Sequence, residues 1–291
     1  ESVAEPTQDD SLEAVYYAYL REKQFSRASL EWQLKSMRLA LSMIGRKRIG
    51  AITRQDLAAV LRKYGEDPVK PVTVRGRMRV LFTVLRWALR RGYIDALPQL
   101  PELPAAIYEV AAPPTPEEAI RIISHASEHI QRVVVLGAKL GIRVGPSELF
   151  KLRWDDVDLT RGVVRVPAAK KNLREPWREV PIKDSLIGIF QLWREADARL
   201  DTPWVIHWKG KQVSSISTAW AATLRRAGIN RRIRPYDLRH AFATDAIAAG
   251  ADVGTVARLM GHASPMMVLT HYQHVLTRAK KNAVEALPDF D

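Results

Sequence analysis

Apolar positions in the first hundred residues recur with the period of a helix. Leu30, Leu34, Met37, Leu41 and Ile44 follow one another at spacings of four and three, which predicts a helix with one apolar face. Thr53 followed by Asp56 predicts a capped helix start ahead of Leu57, Val60 and Leu61. A third helix is expected where Val74, Met78, Leu81 and Leu85 repeat. Residues 95–116 then hold six prolines and no helical period. Proline lacks an amide donor and fixes φ, so this stretch predicts a linker.

Helical pattern resumes at Thr115, with Pro116 in the first turn and Glu118 closing a capping box, and helices are expected over 117–126 and 131–140. The segments GVVRVP (162–167), REVPI (178–182) and WVIHW (204–208) predict strands. From about Ser217 the pattern is helical again, with Gly228, Gly250 and Gly261 placed as C-terminal stops. The fold class expected is therefore mainly α with a small antiparallel β-sheet. It divides into a helical domain over 7–103, a linker over 104–114 and a mixed domain over 115–291.

Charge moves the reading from fold to partner. The 291 residues include 45 Lys and Arg against 32 Asp and Glu, a net charge of +13. Such an excess favours a polyanionic partner, because each phosphate contacted releases counterions. The third helix carries Arg75, Arg79, Arg86 and Arg90, which at about 100° per residue fall within roughly 60° of one another beside the apolar stripe. No acidic residue lies between Arg75 and Arg91 to pair with them along the helix. A phosphate-tracking, DNA-binding surface is expected there.

Cysteine is absent, which excludes disulfides, zinc–thiolate sites and a thiol nucleophile. No apolar run approaches the roughly 20 residues needed to span a bilayer, and the N-terminus shows no signal pattern. The expectation is a cytoplasmic, nucleoid-associated chain with no membrane partner. The acidic run DDVD (155–158) follows Trp154 and precedes a strand, so it reads as a turn rather than a metal site. His271 and His274 stand three apart with no third ligand in view, so no metal is expected there either. His240 reads as a buried, hydrogen-bonded residue, and Trp87 and Trp193 as core.

Three further stretches carry chemistry: LGIRVGPSELFKLRWDDVDL (140–159), AKKNLREPWREVPI (169–182) and RPYDLRHAFAT…LMGHASPMMVLTHYQHV (234–275). In this order they resemble the tyrosine recombinases, or phage-type integrases. That family's pattern is an Arg shortly before Glu-Leu-x-x-Leu-x-Trp-x-Asp, a Lys in a β-hairpin, His-x-x-Arg-His, Leu-Gly-His, and a Tyr nine or ten residues later. Arg143 matches the first arginine, Glu148 the glutamate after it, and Arg239 the second arginine. Lys171 matches the hairpin lysine, with the adjacent Lys170 as the alternative, since neighbours on a strand face opposite ways. His262 matches the last histidine and Tyr272 the nucleophile. Two departures stand out. Glu148 stands five positions after Arg143 where the family has three, with Gly145-Pro146 inserted. Tyr236 also replaces the first histidine of His-x-x-Arg-His, and a phenol can donate to phosphate but cannot become a cation.

The resemblance implies a core-binding domain followed by a catalytic domain, with duplex DNA held between them. It also implies an enzyme that cuts and rejoins strands through a 3′-phosphotyrosyl link, without metal, ATP or any cofactor. In that chemistry Arg143, Lys171, Arg239, His262 and Tyr272 are catalytic, and Glu148 and Tyr236 support the phosphate. The partner implied is double-stranded DNA, bound by a homotetramer on paired sites that can be monomeric without DNA. Two other readings stay open on the residues: relaxation of a single duplex in the manner of a type IB topoisomerase, and a DNA-binding regulator impaired in catalysis by the departures at Tyr236 and near Arg143.

Overall fold

The computed structural model describes residues 10–66, 68–105, 112–167, 176–262 and 264–269. The chain divides into two compact units, Glu1–Glu109 and Val110–Asp291.

The described part of the first unit is helical: α1 (Leu12–Lys23), α2 (Arg27–Ile44), α3 (Arg54–Glu66) and α4 (Pro71–Arg90). Helix α1 repeats the helical period at Leu12, Val15, Tyr16 and Tyr19, all buried. The Thr53–Asp56 pair caps α3 reciprocally: the Asp56 carboxylate accepts from the Thr53 amide (2.9 Å) and the Thr53 hydroxyl from the Asp56 amide (3.3 Å). Val74, Met78, Leu81 and Leu85 of α4 are buried as expected.

Helix α2 differs from expectation. Its buried face runs through Ser36, Met37, Ala40 and Ile44, whereas Leu34 is 42% exposed. On this side of α2 the Tyr64 hydroxyl of α3 donates to the Ser36 carbonyl. On α4, Arg79, Arg86 and Arg90 are exposed along one side. Arg75 is half-buried and donates from Nη1 to the Pro104 carbonyl at 3.1 Å, so one of its donors is already engaged within its own unit.

The second unit opens with α5 (Pro116–His125), whose capping box between Thr115 and Glu118 forms as expected. The Arg231 guanidinium, hydrogen-bonded to Glu118, lowers the Glu118 pKa to about 2. Helix α6 (Glu128–Leu140) follows, then a three-stranded antiparallel sheet in the order β1 (Val157–Asp158), β2 (Val163–Pro167), β3 (Trp177–Pro181). In its register Val164 faces Val180 and Val166 faces Arg178. After α7 (Asp184–Ala198) comes a short hairpin, β4 (His207–Trp208) and β5 (Lys211–Gln212), and then α8 (Ser217–Arg226), α9 (Asp237–Ala248) and α10 (Val253–Met260).

The strand expected over 204–208 is thus shorter. Val205, Ile206 and His207 are all buried in succession, which a strand with one solvent face does not allow. Residues around Trp204 instead pair with the 152–154 segment, through Trp154 N to Pro203 O (2.9 Å) and Val205 N to Leu152 O (3.0 Å). In the DDVD run, Asp156 and Asp158 accept the backbone amides of Arg153 and Arg161, both at 2.9 Å, as turn residues do.

One buried carboxylate ties this unit together. Asp197, at the end of α7, accepts from Arg132 of α6 (2.5 and 2.8 Å), from Trp154 Nε1 (2.8 Å) and from His207 Nε2 (2.8 Å). Burial alone would raise its pKa, but the hydrogen bonds from Arg132 and His207 hold it below the usual carboxylate range. His207 Nδ1 accepts from the Gly210 amide (3.1 Å), so the proton of a neutral ring sits on Nε2, facing Asp197.

Candidate active site

The turn after α6 begins the site. Gly141 ends the helix in the left-handed conformation at φ 65°, and a Cβ there would collide with Cδ1 of Phe242, so only glycine fits. Arg143 follows two residues later. The inserted Gly145-Pro146 is absorbed in a tight turn in which the Gly145 carbonyl accepts from Phe150 (3.1 Å) and the Arg143 carbonyl accepts from Leu149 (3.2 Å). That turn brings Glu148 back beneath Arg143. The Glu148 carboxylate accepts the Arg143 backbone amide at 3.0 Å and lies 3.7 Å from Arg143 Nε. The two extra residues therefore leave Arg143 and Glu148 paired.

Glu148 is 1% exposed and faces two further guanidiniums. Arg178 Nη2, from β3, donates to it at 2.7 Å. Arg239 Nη1, from the first turn of α9, lies 3.6 Å away. One carboxylate thus stands against three guanidiniums, and the balance of charge is positive. Arg239 is fully buried; burial pushes its pKa down to about 10, with Glu148 opposing that fall and Arg178 adding to it. Its Nη1 donates to the Gly141 carbonyl at 2.8 Å and its Nη2 to the Met260 carbonyl. Arg143 Nε, Arg178 Nη1 and Arg239 Nε are buried with no hydrogen-bond acceptor among the described residues. Such donors suit an anion with several oxygens.

Helix α10 ends at the same place. Gly261 caps it at φ 66°, and a Cβ there would lie 2.8 Å from Arg178 Nη1. The carbonyls of Leu259 and Met260, otherwise left without partners at the helix end, accept from Arg178 Nε (2.7 Å) and from Arg239. Half-buried His262 follows directly, its amide bonded to the Ala257 carbonyl (2.9 Å). Tyr236 precedes α9, half-buried, with its ring edge-on to His240 at 5.2 Å.

The structure therefore gathers Arg143, Glu148, Arg239 and the turn bearing His262 into one site, with Tyr236 three residues before Arg239. Lys171, Tyr272, Lys170, His271 and His274 lie outside the described residues. Arg178 is the member that motif matching passed over. Its signal was the period of two along β3: Val180 is buried, so Arg178 points to the same inner face, where an arginine needs an acceptor.

Comparison with known proteins gives the family and the fold. The model of the phage integrase family matches residues 115–278. The tyrosine recombinase XerC of Proteus mirabilis is 26% identical over 271 residues, covering 87% of each chain. A tyrosine recombinase of Thermosipho africanus is 26% identical over 287 residues, covering 94% of this chain and 96% of its own. Among solved structures, the Tn1549 transposon integrase in complex with transposon right end DNA superposes with a TM-score of 0.77 at 17% identity, over 95% of this chain and 99% of that one. A lambda integrase dimer bound to a COC′ core site gives 0.72 at 17% identity, over 90% and 95%. The two structures share the fold. With the family model spanning more than half of its length, the chain belongs to the phage integrase family and is a site-specific recombinase, an enzyme that cleaves and rejoins DNA.

Proposed function

We propose that this recombinase acts on double-stranded DNA through a covalent 3′-phosphotyrosyl intermediate formed on Tyr272. The observation that carries the proposal is the convergence of Arg143 and Arg239 on the buried Glu148 carboxylate, with positive charge in excess and guanidinium donors left over.

A phosphodiester gains negative charge as its pentavalent transition state forms, and fixed guanidiniums can meet that charge without a metal. In our reading the Tyr272 oxygen attacks phosphorus while the bond to the 5′ oxygen breaks. Lys171 protonates the departing 5′ oxygen, and the phenol proton passes to His262. Arg143 and Arg239 hold the non-bridging oxygens, Glu148 fixes the arginines, and the Tyr236 hydroxyl supplies a further hydrogen bond. Attack by another 5′ hydroxyl reverses the step, so rejoining needs no ATP.

The exposed arginines of α4 are assigned to the DNA backbone. One of the similar solved structures is a lambda integrase tetramer bound to a Holliday junction, with a TM-score of 0.70 at 16% identity. On that likeness we extend to this chain a homotetramer assembled on paired sites. The test is covalent trapping. The chain is mixed with nicked duplexes of randomised sequence, denatured, and the attached DNA sequenced. A recurring sequence joined at Tyr272 supports the reading, and an adduct that persists in Tyr272→Phe overturns it.

A further inference from the structure

Arg178 lies within the 169–182 stretch but matches none of the family positions, yet it is the residue through which three pieces of the site meet. It stands on β3, the strand that returns from the segment carrying Lys171. Its side chain is 10% exposed. Nη2 donates to Glu148 at 2.7 Å and Nε to the Leu259 carbonyl at 2.7 Å, two acceptors 111 positions apart in sequence (259 − 148). Its plane lies so close under the turn at Gly261 that any Cβ there would meet Nη1 at 2.8 Å.

Helix α10 has eight residues, and its end carries His262. A helix this short owes its position to what it packs on rather than to its own backbone bonds. Two of its last carbonyls are held by arginines, and both arginines face the same carboxylate. The distance from His262 to the Arg143–Arg239 pair is therefore set by two links, one directly from Arg239 to the Met260 carbonyl and one through Arg178 and Glu148. A planar guanidinium can serve a carboxylate and a carbonyl at once in fixed directions; a lysine ammonium at the end of a flexible stem cannot.

We propose that Arg178 is a positioning residue for strand cleavage, fastening the turn that bears His262 to the carboxylate that orients Arg143 and Arg239. This rests on the assignment of His262 and the two arginines to the reacting phosphate.

The experiment is a double-mutant cycle on the full chain, with a nicked suicide duplex carrying the sequence recovered by covalent trapping. Arg178→Lys should keep its melting temperature and bind this duplex within about twofold, while its single-turnover cleavage rate falls by up to about 100-fold, as small misplacements of reacting groups cause. In a His262→Ala background the same substitution should cost less than about threefold further, because the group it positions is already gone. A full, additive loss in that background would overturn this inference alone, as would an unchanged rate in the single variant. A joint fall of melting temperature and DNA affinity would make Arg178 a fold-holding residue and overturn it too. If His262→Ala cleaves at the wild-type rate, the assignment of His262 falls, and this inference with it.

Discussion

Arg239 Nη1 and the Glu148 carboxylate lie 3.6 Å apart, and neither side chain is more than 1% exposed. A buried pair of this kind contributes little over apolar packing, but removing one member strands the other. Here three guanidiniums would be stranded together. Glu148→Gln keeps an oxygen for the Arg143 amide yet loses the charge. Its expected cost is about 3–5 kcal/mol of stability, read from denaturant unfolding. Cleavage should fall by at least about 100-fold in the molecules that remain folded. A variant as stable as the parent would mean that the guanidiniums repel one another less than this geometry implies.

Tyr272→Phe should abolish covalent attachment while DNA affinity stays within about twofold, since the hydroxyl acts in the transition state more than in ground-state binding. Gel-resolved adducts after denaturation, set beside equilibrium binding of the same protein, measure both quantities.

Cleavage should proceed unchanged in EDTA, because Arg143, Arg239 and Lys171 are assigned the charge a metal would otherwise supply. Activity lost on chelation and restored by Mg²⁺ would return attention to Asp155, Asp156 and Asp158.

The four arginines of the α4 stripe, Arg75, Arg79, Arg86 and Arg90, divide into two groups. Replacing Arg79, Arg86 and Arg90 together by Gln should flatten the slope of log K against log salt by about 2.7 on random duplex, at roughly 0.9 per phosphate contact. Arg75→Gln should change the slope less than any of these, because Arg75 is half-buried against the Pro104 carbonyl. Titrations at several salt concentrations separate the two cases.

Asp197 predicts a pH dependence. Its pKa is depressed in the folded chain, so its stabilisation is complete above the unfolded value, near 3.9, and is lost as pH falls through the lower folded value. Asp197→Asn should therefore lower the melting temperature most near neutral pH, with the gap to the parent narrowing below about pH 4. A gap that is constant with pH would assign the loss to shape rather than charge.

Much of this molecule was readable from local rules. The capping box at Thr115 and Glu118, the alternation of Val164 and Val166 in β2, and the glycines at 228, 250 and 261, all at positive φ, depend on neighbours a few residues away. Where the reading of α2 placed Leu34 inside, the buried face runs instead through Ser36, Met37, Ala40 and Ile44, and the Ser36 carbonyl accepts from Tyr64, 28 positions beyond Ser36. Arg178 lay beyond motif matching because its partners are 30 and 81 residues away. Arg143, Glu148, Arg239 and His262 were legible because the spacing of their motifs is itself a local property. The Gly145-Pro146 insertion disturbed that spacing without disturbing the pair it separates.

Arg239 is anchored by the carbonyls of Gly141 and Met260, and every amino acid has a carbonyl. The arginine's placement is thus written in the path of the main chain rather than in the identity of its neighbours, and sequence can drift around it without moving it. Position 260 should accept other apolar residues of similar volume in a saturation scan with full cleavage. Position 141, where the backbone itself demands glycine, should accept almost none.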